Sequence, residues 1–114
     1  MWNMEFDGEV NKKGVGGGIW IIPPKGGSKL HSFKLAFECT NNVAVYEALI
    51  LGLNILKGLK AKRMDVHGVS ELVINNVNGA YQTKHPRMRP YKNEVLDLLG
   101  NCFTENIISV IPSQ

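Results

Sequence analysis

Cysteine is scarce: Cys39 and Cys102 are the only two in 114 residues. That is too few for a disulfide framework, and neither belongs to a C-x-x-C pair or has ligand partners at zinc-finger spacing. A stapled secreted scaffold and a structural zinc site are thereby excluded, and an intracellular setting, cytoplasmic or nuclear, is expected. Long apolar runs are missing as well. None approaches the ~20 residues that a membrane-spanning helix needs. The opening Met1-Trp2-Asn3-Met4-Glu5 has neither the basic nor the apolar region of a signal peptide, so no membrane partner is expected. There is no internal repeat and no interdomain linker, which leaves room for one domain over residues 1–114. The apolar fraction of 44% and the charged fraction of 20% suit a packed core rather than a disordered chain.

Net charge is a mild +3, from 13 basic and 10 acidic residues. Its distribution says more. Lys84, His85, Arg87, Arg89 and Lys92 form one basic stretch, and Lys57, Lys60, Lys62 and Arg63 form another. Each is either a solvated surface or a patch facing phosphates.

Trp2, Met4 and Phe6 alternate with Asn3, Glu5 and Asp7, the period of a half-buried strand. Gly8, Asn11 and the run Gly14 to Gly18 read as a turn, after which Gly18 to Ile22 forms a second strand stopped by Pro23-Pro24. Leu30 to Phe37 is the third, completing an antiparallel meander. The period then changes. Thr40-Asn41-Asn42 is a helix-start signal, and Ala44, Ala48, Leu51 and Ile55 recur at helical spacing as far as Leu59. Lys62 to Gly68 reads as a strand and Ser70 to Asn78 as a short helix capped by Ser70. A further helix runs from Pro90 to Asn101, and Asn106 to Ile111 makes the fifth strand. The expected order is β-β-β-α-β-α-α-β. The second strand is apolar on both sides, so one pair among Ile19 to Ile22 must face outward.

The glycine run is not a phosphate loop, because it lacks the Lys-Ser/Thr pair and opens a strand rather than a helix. The three histidines are scattered, and neither a Ser-His-Asp nor a Cys-His set stands out by position.

Three segments taken together carry more: Phe6-Asp7-Gly8 with Asn11 behind it, Thr40-Asn41-Asn42 running into Tyr46-Glu47-Ala48-Leu49, and Val66-His67-Gly68-Val69-Ser70-Glu71 followed by Val77-Asn78-Gly79. In order and spacing the chain resembles ribonuclease H, of the variety found in plant retroelements and in bacterial and archaeal type I enzymes. The resemblance implies an α/β fold: a five-stranded mixed sheet, its first three strands antiparallel, with helices packed against it. It also implies a further C-terminal helix that this chain lacks, so residues 1–114 are expected to be a truncated ribonuclease H-like domain.

Members of that family cut the RNA strand of an RNA–DNA hybrid with two magnesium ions, which are hard and need carboxylate oxygens. By resemblance, the first strand's carboxylate is Asp7, which leaves it as the one catalytic and weak magnesium-binding position. The helix glutamate falls on Val45 and the fourth strand's aspartate on Val69, and the chain stops before the last aspartate. Glu47 is no substitute, since two residues along a helix turn a side chain by ~200°. Substrate-contacting positions survive better: Gly8, Asn11, Thr40, Asn41, Asn42 and Ser70 are the candidate nucleic-acid-binding residues. The expectation is a nucleic-acid-binding domain of retroelement type, catalytically impaired. The competing readings are a working hybrid ribonuclease and a protein-interaction module inside a larger polypeptide. A weak homodimer, or a neighbouring domain, is a further expected partner.

Overall fold

A computed structural model describes residues 1–79 and 88–110. Lys84, His85 and Arg87, and the end of the fifth strand at Ile111, lie outside the described residues. The elements run β1 (Trp2–Asn11), β2 (Gly14–Ile22), β3 (Lys29–Leu35), α1 (Asn41–Gly58), β4 (Arg63–Gly68), α2 (Glu71–Val77), α3 (Arg89–Cys102) and β5 (Glu105–Val110). The five strands form one sheet in the order β3-β2-β1-β4-β5. β1, β2 and β3 pair antiparallel, while β4 pairs parallel with β1 and β5 parallel with β4. Element order and the mixed sheet follow the sequence pattern.

Some boundaries do not. The glycines from Gly14 to Gly18 are not a turn but the first half of β2, and β1 continues through Asp7 to Asn11. Only Lys12 and Lys13 turn the chain. Gly14 needs glycine on conformational grounds, with φ of 128°. The others are held extended by ladders on both sides, Gly16, Gly17 and Gly18 pairing with Glu9, Gly8 and Asp7 in β1 and with Lys34, Phe33 and Ser32 in β3. β3 also ends at Leu35, so Phe37 lies beyond it.

α1 is apolar around much of its circumference because it is enclosed on more than one side. Its Val45, Leu49, Leu53 and Leu56 lie in one buried cluster with Met4, Phe6, Ile19, Ile21, Met64 and Val66 of the sheet. Each such side chain contributes roughly 1.5–3 kcal/mol when withdrawn from water. Gly52 marks the close crossing, where an added Cβ would lie 2.5 Å from Met4 Sδ. α3 packs alongside α1, and the Tyr46 and Tyr91 rings stack with centroids 6.0 Å apart. The opposite sheet face carries Asn3, Glu5, Ser32, Lys34, Arg63, Asp65 and His67, as the alternation predicts. The outward pair of β2 is Trp20 and Ile22, flanked by exposed Leu30 on β3. Among the described residues no helix is long and apolar enough to cross a membrane.

Candidate functional site

Alternation along β1 places Asp7. Met4, Phe6 and Gly8 point under α1, so Asp7 and Glu9 emerge on the open face, both exposed. The β1–β4 pairing ends at Phe6 opposite Gly68. The next residues are Asp7, still laddered to Gly18 of β2, and Val69, just past the end of β4, so the two lie at the same edge. The N-termini of α1 and α2 lie at this edge too, a place where open α/β sheets commonly bind ligands.

Gly8 holds the edge together by having no side chain. A Cβ there would overlap the Ala44 carbonyl and the Val45 nitrogen, so only glycine lets the first turn of α1 rest on β1. The other candidate residues are engaged locally as well. Thr40 Oγ1 caps α1 by accepting the Val43 N–H at 3.3 Å, and Ser70 Oγ caps α2 by accepting the Val73 N–H at 3.3 Å. Asn41 is not the cap. Its Oδ1 accepts the Val10 N–H at 3.2 Å, tying the end of β1 to the start of α1 across 31 residues of sequence. Asn11 Oδ1 accepts the Lys13 N–H at 2.9 Å, a side-chain turn that shapes the hairpin tip. Lys12 and Lys13, which the charge pattern did not single out, are thereby held next to Asn11. The stretch that did stand out, Lys57, Lys60 and Lys62, lies at the far end of α1, ~27 Å of helix away at 1.5 Å per residue. Arg63 there is paired with Glu105 at 2.7 Å.

The two valines occupy different surroundings. Val45 is 1% exposed within the core, whereas Val69 is 53% exposed at the edge. Neither offers an oxygen, and Val45 sits in apolar packing where a hydrated ion has no room. Asp7 is the single carboxylate at the positions the resemblance assigns to magnesium, so these residues do not fit a two-ion centre. Partial burial raises the Asp7 pKa above the usual carboxylate range. A hydrogen bond from the Gly8 N–H works against that rise, and the charge of Glu9 adds to it. Glu47 is committed elsewhere: its carboxylate accepts the Tyr91 hydroxyl. Burial first, and this hydrogen bond second, push Tyr91 up to about 12. Burial and the Glu47 charge raise the Cys39 thiol, which keeps it protonated and a poor nucleophile.

The fold also assembles a set that spacing did not reveal. Ser109 Oγ lies 3.3 Å from His67 Nδ1, and Asp65 Oδ1 lies 3.2 Å from His67 Nε2. β4 and β5 pair in register at these positions, His67 opposite Ser109, on the open face. The Asp65 oxygen is sealed from solvent yet off hydrogen-bond geometry to the imidazole, so the group lacks the aligned relay of a nucleophilic triad.

A mixed sheet in the order β3-β2-β1-β4-β5, with α1 packed over β1 and a lone aspartate at the edge, is the ribonuclease H-like architecture. A family model described as "Reverse transcriptase-like" matches residues 5–113, and the chain belongs to that family. It is similar to ribonuclease H1 from the halophilic archaeon Halobacterium salinarum, at 25% identity and a TM-score of 0.89, covering 97% of this chain and 85% of that one. LC11-RNase H1, isolated from compost by a metagenomic approach and solved in complex with an RNA/DNA hybrid, is 26% identical. Its TM-score is 0.87, with 98% of this chain and 86% of that chain covered. The N-terminal RNase H domain of a Mycobacterium tuberculosis protein, at 24% identity and a TM-score of 0.82, shares the fold, with 98% and 87% covered.

Proposed function

We propose that this chain is a ribonuclease H-like domain of retroelement type that binds RNA–DNA hybrid or a similar duplex without cutting it. The observation that carries the reading is Val45: a fully buried methyl pair stands where the resemblance puts a metal-binding glutamate. Val69 and the lone Asp7 agree with it. Binding is supported by the edge where Asn11, Thr40, Asn41 and Asn42 gather beside Lys12 and Lys13, and by the hybrid bound to LC11-RNase H1. Amide and hydroxyl groups at a helix start suit sugar hydroxyls and the shape of an A-like minor groove, and the lysines suit phosphate.

A labelled RNA–DNA hybrid titrated with the protein, in magnesium and in manganese, tests both halves at once. The expected result is a salt-sensitive complex with intact RNA on a denaturing gel. Cleaved RNA from a preparation free of host nuclease would restore the ribonuclease reading. Failure to bind at low salt would favour the interaction-module reading, for which exposed Trp20, Leu30 and Ile107 on the open face are the specific support. Self-association through that face would then appear in sedimentation as a concentration-dependent mass.

A further inference from the structure

The open face is interrupted by a hollow of about 500 Å³ beside Asp7. Its floor is β2, where Gly16 and Gly18 present no side chain. One wall is β1, with Asp7 and Glu9, the other is Lys34 of β3, and Lys13 of the β1–β2 hairpin tip borders one end. The registers fix the spacing. Glu9 and Lys34 both pair with Gly16, and Asp7 and Ser32 both pair with Gly18, so the walls stand two strand spacings, ~10 Å, apart.

Glycine inside a strand weakens it, and either packing or the approach of another molecule accounts for its presence. Packing accounts for two of the three. A Cβ on Gly17 would overlap the Asp7 carbonyl and the Phe33 ring, and one on Gly16 would lie 2.6 Å from the Phe33 carbonyl. Gly18 is different. A Cβ there would meet only Leu30 Cδ1 at 3.4 Å and the His31 carbonyl at 3.7 Å, both ordinary contacts. Its φ is not positive either. The fold therefore has space for a side chain at Gly18, and that space opens into the charged hollow.

We infer that this hollow is a nucleotide subsite: it takes one nucleotide with its phosphate between Lys34 and the Lys13 end and its base edge against Asp7 and Glu9. Two carboxylates select the base. Guanine offers adjacent N–H donors, from N1 and the exocyclic amine, that a carboxylate accepts in pairs. Uracil offers a single N–H flanked by two carbonyl oxygens, which a carboxylate repels. The volume lies within the range of small-molecule sites, and the ~10 Å between walls matches the span from base edge to phosphate in a nucleotide. The inference extends the nucleic-acid reading to a single unpaired nucleotide and makes demands that the duplex contacts do not.

The test is an amide NMR titration of the intact chain with guanosine 5′-monophosphate and, separately, uridine 5′-monophosphate. The guanine nucleotide should shift resonances from Gly14 to Gly18 and from Ser32 to Leu35, and bind at least about tenfold more tightly than the uracil nucleotide. Gly18→Val should lower guanine-nucleotide affinity by at least about tenfold with no fall in melting temperature, because valine favours strands and fills only the hollow. Glu9→Gln should erase the base preference. Equal affinity for the two nucleotides, no shifts at millimolar ligand, or unchanged binding by a folded Gly18→Val would each overturn the subsite. The hybrid titration above separates the two ideas. Hybrid binding with no mononucleotide response leaves the duplex reading intact and removes this one; the reverse removes duplex binding alone.

Discussion

The sheet face under α1 carries Met4, Phe6, Ile19, Ile21, Met64 and Val66, none more than 3% exposed. The other face carries Asn3, Glu5, Asp7, Glu9, Asp65 and His67, with Trp20, Leu30 and Ile107 at 37%, 56% and 52% exposure. Period-2 alternation in each strand separates the two sets. The division also runs through the site: Asp7 and Val69 are on the solvent side of it, and Gly8 and Val45 on the core side. The four positions look alike in sequence, as residues near the ends of strands or helices. They are governed by different physics, and substitutions should separate them.

The largest contrast is between the two valines. Val45→Glu places a carboxyl among the apolar side chains of the core cluster, and should cost on the order of 3 kcal/mol. Val69→Asp changes an exposed residue and should stay within about 0.5 kcal/mol. Thermal unfolding of the two single variants gives the comparison directly. A Val45→Glu protein as stable as its parent would mean that the glutamate escapes to the Asp7 edge, which would revive a metal-binding reading.

Next comes the buried polar contact behind α1. The Tyr46 hydroxyl donates to Asn76 Oδ1 at 3.0 Å between two almost inaccessible residues. Tyr46→Phe keeps the ring stack on Tyr91 and removes the bond, at an expected cost of about 1–3 kcal/mol. It should also alter the alkaline limb. Burial pushes the Tyr46 phenol up to about 12 from its ordinary 10. Between those values the unfolded chain loses a proton that the folded chain keeps, so stability falls as pH rises from 10 to 12. Tyr91, also held up to about 12, titrates in the same window from a less buried position. Stability measured from pH 9 to 12 should therefore fall less steeply in Tyr46→Phe, without becoming flat.

What could be read from the sequence divides along the same lines. Element order was legible because each change of hydrophobic period is local, and Thr40 and Ser70 announce their helices by cap chemistry. The outward face of Asp7 was legible from alternation with Phe6. The glycine run reads as a turn because low strand propensity is a local signal, while the ladders that hold it extended come from β1 and β3. Asn41 looked like one of three cap residues, but its partner is the Val10 N–H. The resemblance makes Gly8 a substrate contact; the packing role, admitting the Ala44–Val45 backbone, is not visible in the sequence. In both cases the deciding neighbour lies more than thirty residues away, beyond the reach of any pattern in the chain.

A smaller effect tests whether the edge is built for binding or only for folding. Thr40→Ala removes the α1 cap and should cost ~1 kcal/mol. Asn42 makes no side-chain hydrogen bond among the described residues, so Asn42→Ala should leave stability within about 0.5 kcal/mol while weakening hybrid affinity. Melting curves paired with hybrid titrations measure both. Equal loss of stability and affinity in Thr40→Ala, with no change of either in Asn42→Ala, would reduce the cluster to a helix start.

The smallest effect concerns Asp7 itself. Its carboxyl is raised above the usual range chiefly by burial, so the folded protein holds that proton more tightly than the unfolded chain does. Both states are protonated well below the ordinary value of 3.8, and the group then contributes no difference. As pH rises through the interval between 3.8 and the raised value, the unfolded chain ionises first and the folded state loses ground. Asp7→Asn cannot ionise, so it should melt at or slightly above the parent at pH 7, with the gap closing by about pH 3. An Asp7→Asn protein clearly less stable at neutral pH would show that the charged carboxylate is stabilised in the fold. The balance at the edge would then favour a bound cation or a lysine from the hairpin tip over the desolvation that the geometry describes.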